Sequence, residues 1–147
     1  REPEFWSSHL PLDTPLQEIH DYFAKQLEIF PLLNEDIHMR VTEMGNQNIL
    51  VEPADEKSAK RLEEIRTYVS EKAGVRFPNH DRYQFHISIG YLRVPLTEEE
   101  NEEFTKVKKE LTKVLLEKVP VITVNRIDYT VFEDMRRFVP YCEKFGK

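Results

Sequence analysis

An α+β fold, with antiparallel-rich sheets and helices on their outer faces, is predicted by three features of this chain. Three stretches carry apolar residues every three or four positions, two pairs of β-prone runs flank turn-forming residues, and one run alternates strictly between apolar and polar. The first helix is expected over 15–30: Thr14, Pro15 and Gln17 look like a capping-box start, Leu16, Ile19, Phe23, Leu27 and Phe30 form the stripe, and Pro31 ends it. Ile37 to Met44 and Asn48 to Glu52 flank Gly45-Asn46-Gln47 and read as a hairpin. Asp55 can cap a second helix over 56–73, striped by Ala59, Leu62, Ile65, Val69 and Ala73, with Gly74 just past its end. A loop over 74–82 leads to the clearest strand, in which Tyr83, Phe85, Ile87, Ile89 and Tyr91 alternate with Gln84, His86, Ser88 and Gly90. Thr97 and Glu100 open a third helix with Phe104, Val107, Leu111, Val114 and Leu115 on one face. Val121 to Phe132 and Phe138 to Tyr141 then read as a second hairpin around Glu133-Asp134-Met135-Arg136.

The 147 residues are 39% hydrophobic, which supports one core and hence one domain. Lys plus Arg number 21 against 27 Asp plus Glu, a net charge of -6, so release of counterions from a long nucleic-acid duplex is a poor source of affinity. No apolar run is long enough to span a bilayer, and no membrane partner is expected. Cys142 is the only cysteine, which suits a reducing, cytoplasmic setting.

The order of elements repeats. Residues 55–142 run helix, strand, helix, hairpin, whereas residues 15–52 run helix, hairpin. As two copies of one unit, 1–54 is the remainder of a first lobe and 55–147 a second, and the strand absent from the first copy is the counterpart of the one carrying His86. With no initiator Met, the chain reads as a cut-down product. Its exposed sheet edge is then expected to self-associate or to keep an upstream peptide bound.

His86 and Ser88 point to the same side of their strand, opposite Phe85, Ile87 and Ile89. The strand is expected to be interior to its sheet, where a cleft over that polar face would explain the pattern; so would a sheet histidine simply satisfied by its neighbours. His38, Arg40 and Thr42 share one face of another strand, and Arg40 could hold a phosphate if that face lines the same cleft. A solvent-facing Arg is the plainer alternative. His80-Asp81 sits in a loop rather than on the helices a paired metal site would need, and Ser88 lacks the G-x-S-x-G context of a serine hydrolase. Lys106 to Lys118 is interleaved with Glu110 and Glu117 and reads as a solvated face.

The run Tyr83-Gln84-Phe85-His86-Ile87-Ser88-Ile89-Gly90-Tyr91-Leu92, with His-x-Ser between apolar residues, resembles the signature of the two-histidine phosphoesterase superfamily, which includes 2′-5′ RNA ligase-like proteins and cyclic nucleotide phosphodiesterases. Phe5-Trp6, Pro78-Asn79-His80-Asp81 and Phe132-Glu133-Asp134-Met135 are similar to one branch of it, mostly without assigned function. The resemblance implies a bilobal, pseudo-twofold fold in which each half lends one His-x-Thr/Ser to a shared cleft. It also implies chemistry on a 2′,3′-cyclic or related nucleotide phosphodiester without metal or cofactor, His86 being one acid/base group and Ser88 a donor to a phosphate oxygen. The expected ligand is a small nucleotide or short RNA end. Only one such motif is present, because His38-Met39-Arg40 has Arg where the hydroxyl belongs. The fragment alone is therefore expected to be inactive, with a non-catalytic nucleotide or RNA-end binding module as the rival reading.

Overall fold

The computed structural model describes residues 7–28, 35–132 and 137–141. Among them are three helices, α1 (Leu16–Glu28), α2 (Glu56–Ala73) and α3 (Glu98–Lys118). The strands are β1 (Ile37–Met44), β2 (Asn48–Pro53), β3 (His86–Ser88), β4 (Val121–Val124), β5 (Thr130–Val131) and β6 (Val139–Pro140). Pairing is antiparallel throughout, in one sheet of order β3-β2-β1-β4 and one of β5 with β6, so the fold is α+β. The described residues fall into two compact units that interleave along the chain: one lies within 36–61 and 81–124, the other within 1–35, 62–80 and 125–147.

In the first of these units the sheet is amphipathic. Ile37, Met39, Val41 and Val51 are buried on one side, while His38 and Arg40 stand exposed on the other, as a period of two requires. The β1–β2 hairpin closes where expected, with the Gly45 N–H donating to the Asn48 carbonyl at 2.8 Å. Asp55 caps α2 by accepting from the Ser58 N–H at 2.7 Å, and the buried Ser58 hydroxyl accepts in turn from the His38 N–H at the start of β1. At Thr97 and Glu100 both halves of the capping box are made. Helix α3 packs on β1, and the Thr112 hydroxyl accepts from the Met44 N–H at 3.0 Å.

Three expectations are corrected. The stripe of α3 is only partly used: Phe104 and Leu115 are half-buried, but Val107, Leu111 and Val114 are each at least 40% exposed, and the helix meets β1 through Thr112, off that stripe. The run 121–132 is two strands in two sheets. β4 pairs β1, β5 pairs β6, and the break between them holds an Arg126–Asp128 ion pair. The start of α1 has no Thr14–Gln17 box; the Thr14 hydroxyl donates back to the Pro11 carbonyl at 2.7 Å and the Gln17 amide reaches forward to Asp21. Pro31 and the 133–136 turn lie outside the described residues.

The second unit is tied by phenols. His20 Nδ1 lies 2.7 Å from the Tyr129 hydroxyl, Tyr141 donates to Asp21 at 2.6 Å, and Phe23 meets the Tyr129 ring edge-on. Burial pushes the Tyr129 phenol up to about 12, with the Tyr141 hydroxyl beside it adding to the shift. An unfolded Tyr ionises near ~10, so this group's contribution to stability is whole below pH ~10 and is lost as pH rises through about 12. Alkaline unfolding followed by circular dichroism should show stability falling across that window, and Tyr129→Phe should remove that part of the fall.

Candidate active site

Strand β3 carries the residues to which the sequence assigned chemistry, and its place in the sheet differs from the one expected. Tyr83 to Tyr91 does not form a long interior strand. Three residues enter the ladder, Leu50 opposite His86, Ile49 opposite Ile87 and Asn48 opposite Ser88, and β3 is an edge strand with His86 exposed. The extended path is nonetheless longer than the ladder: the Val51 N–H donates to the Phe85 carbonyl and the Ile89 N–H to the Gln47 carbonyl, both at 3.0 Å. Alternation gave the side to which each residue projects, but the apolar side is not packed as expected: Ile87 is 38% and Ile89 54% exposed. The pattern carried no information about how many neighbours the segment would have.

Register brings the predicted residues to one face. Directly opposed residues of an antiparallel pair project to the same side. His86 therefore shares a face with Leu50, and Ser88 with Asn48. Two positions along β2, Glu52 opposes Arg40 of β1, and His38 opposes Thr123 of β4. His86, Ser88, Arg40, His38 and Thr123 thus lie on the open polar side of a single sheet, opposite the side that buries Met39, Val41 and Val51. Strand spacing puts the Arg40 and His86 Cα atoms roughly 12 Å apart, close enough for both side chains to reach one nucleotide-sized ligand.

The individual groups differ in readiness. His86 Nδ1 lies 3.2 Å from the Gln84 carbonyl. A carbonyl can only accept, so Nδ1 carries the hydrogen and Nε2 is the nitrogen left to exchange protons. The Ser88 hydroxyl makes no hydrogen bond among the described residues and is exposed beside it. Arg40 is engaged through Nε and Nη2 by one carboxylate oxygen of Glu52, at 3.0 and 2.5 Å, in an exposed pair that contributes little stability and leaves Nη1 free to bind. His38 spends Nδ1 on the Thr123 hydroxyl at 3.3 Å and lies in the middle of the sheet. Its His-x-Arg is a structural stretch of β1.

His80 and Asp81 open a short 3-10 turn, His80–Arg82, and among the described residues no three His, Cys, Asp or Glu side chains gather as metal ligands would. Two shallow depressions, of about 290 and 300 Å³, lie beside the first turns of α3 against Leu92 and Leu96. Neither is lined by His86, Ser88 or Arg40, and both are bordered by glutamates that would repel a phosphate. The candidate site is the open sheet face itself.

Residues 1–50 match the family 2H-phosphodiest, a domain of unknown function (DUF1868). This first part of the chain is thus similar to a family of the two-histidine phosphoesterase type. The matched segment holds Arg40 but ends before His86, so the His-x-Ser of this chain stands on its own sequence and geometry. A crystal structure of a conserved protein of unknown function, ATU0111 from Agrobacterium tumefaciens str. C58, is similar with a TM-score of 0.82 and 29% identity over 92% of this chain. The chain spans 58% of that structure's length. No curated protein matches the sequence. The sequence singles out His86, Ser88 and Arg40 but not Gln84, whose carbonyl meets His86 Nδ1; an exposed Gln on a polar strand face offers no pattern from which to infer that contact.

Proposed function

We propose that this chain is a two-histidine phosphoesterase domain that contributes half of the acid/base machinery hydrolysing a 2′,3′-cyclic or related nucleotide phosphodiester. The observation that carries the proposal is the pairing of an available His86 Nε2 with an unengaged Ser88 hydroxyl on one open, polar sheet face. In the reaction water attacks phosphorus as the bond to one ribose oxygen breaks. One group takes the proton from water, and another gives a proton to the leaving oxygen. His86 fills one of those roles, and Ser88 donates to a non-bridging oxygen, where charge is held in the transition state. Arg40, through its free Nη1, takes a more distant oxygen of the same ligand; Glu52 beside it favours a single, modestly charged phosphodiester over a polyphosphate.

One imidazole cannot receive and deliver a proton in the same step, so turnover requires a second acid/base group. The 147-residue chain by itself should be inactive or nearly so. The test is hydrolysis of 2′,3′-cyclic nucleotides by the full-length protein with and without EDTA. Metal-independent turnover following a bell-shaped pH profile supports the proposal. Saturable binding without turnover would instead mark a nucleotide-binding module. Ser88→Ala should slow turnover on the order of ten- to a thousand-fold, the range of a lost oxyanion donor. Its effect should fall on kcat more than on KM in steady-state kinetics, since the bond strengthens as charge moves onto the oxygen.

A further inference from the structure

We infer that Gln84 is a positioning residue for His86, its side-chain amide holding the Gln84 carbonyl where it fixes the imidazole tautomer. The ladder between β2 and β3 starts only at His86, opposite Leu50. Upstream of it, one backbone bond, from the Val51 N–H to the Phe85 carbonyl, keeps the segment beside β2. The Gln84 side chain adds two more, with Nε2 donating to the Val51 carbonyl at 3.1 Å and to the Phe85 carbonyl at 3.2 Å. Both partners are acceptors, which requires the amide nitrogen, not the oxygen, to face them. Val51 is buried in the sheet, so the amide ties an exposed edge segment to a fixed point.

The tie matters because of what the main chain of the same residue does. Among the described residues, the Gln84 carbonyl, 3.2 Å from His86 Nδ1, is the one polar contact that orients the imidazole. Other neighbours contribute shape only: Leu50 opposes His86 across the ladder, and the Tyr83 ring lies tilted with its centroid 6.2 Å away. An edge segment opens more readily than an interior strand, and a displaced Gln84 carbonyl leaves the ring free to rotate and to move its proton to Nε2. The amide thus keeps Nε2 bare in the neutral ring, as a base toward water requires, and available as N–H in the imidazolium, as an acid requires.

This inference rests on the reading of His86 as an acid/base group, and its first readout does not depend on activity. Nitrogen-15 shifts of the imidazole, assigned by comparison with His86→Ala, report the tautomer in the full-length protein. The native ring should be of the Nδ1–H form when neutral. Gln84→Glu keeps the shape but turns acceptors toward two carbonyls, and Gln84→Ala removes the side chain. Both should shift the neutral ring toward a mixture with the Nε2–H form, and both should lower kcat by about ten- to a hundred-fold with KM little changed. An unmoved tautomer in the two variants overturns the inference. A moved tautomer in a protein that hydrolyses no cyclic phosphodiester sustains it and removes the proposed function instead.

Discussion

Replacing His86 with alanine in the full-length protein should lower turnover of a 2′,3′-cyclic nucleotide by on the order of 10²–10⁴-fold, the contribution of one positioned acid or base. The loss should be chemical and not structural. His86 is exposed on an edge strand and among the described residues makes one polar contact, to the Gln84 carbonyl, so its removal leaves no buried group unpaired. Surface changes of this kind usually stay within about 0.5 kcal/mol of native stability, and thermal unfolding of the variant should match the parent. Imidazoles titrate near neutrality, so two of them working as base and acid give a bell-shaped rate profile, and the variant should keep only one limb of it. EDTA should change neither protein. Full activity in His86→Ala, or activity abolished by chelator in the parent, would remove this residue from the mechanism.

What could be read in advance follows from which forces are local. Both the Thr97–Glu100 capping box and the Asp55 cap are contacts within one turn, made by the residues that announce them. The shared direction of His86 and Ser88 is equally local, a property of strand geometry. Edge or interior position is not local. Tyr83 to Tyr91 alternates well enough for a long central strand, yet only Asn48, Ile49 and Leu50 of β2 meet it, and no described strand pairs its far side. The same gap between periodicity and partnership explains α3, where Val107, Leu111 and Val114 keep helical spacing while the helix meets β1 through Thr112, off that stripe. Arg40 shows the limit at the site: its face was legible, but its engagement by Glu52 depends on the β1–β2 register, which the bulge between Val41 and Glu43 shifts along the hairpin.

Gly74→Ala should be the most destabilising single-methyl change in the unit built on α1 and the later part of α2. Gly74 follows α2 with φ of 67°, in the left-handed region that an L side chain occupies at a cost of roughly 1–2 kcal/mol. Space is short as well. An added Cβ would lie 2.8 Å from His9 Cγ and Cδ2 and 2.9 Å from the Ser7 hydroxyl. Neither neighbour moves freely: the buried Ser7 hydroxyl donates to the Ala73 carbonyl at 2.6 Å, and His9 Nδ1 is held 2.8 Å from the Tyr22 hydroxyl, which itself donates to the Lys72 carbonyl. Overpacking of this sort costs a further 1–3 kcal/mol or so. The total, about 2–5 kcal/mol, is a large part of a typical domain's stability and corresponds to a fall in Tm on the order of 5–15 °C. The two causes separate in a double-mutant cycle. Adding His9→Ala should restore the packing part and leave the backbone part, while Gly74→Asn, whose side chain tolerates the left-handed region better, should relieve the backbone part and keep the clash. A Gly74→Ala protein that melts within 2 °C of the parent would show that the end of α2 is not held by this contact at all.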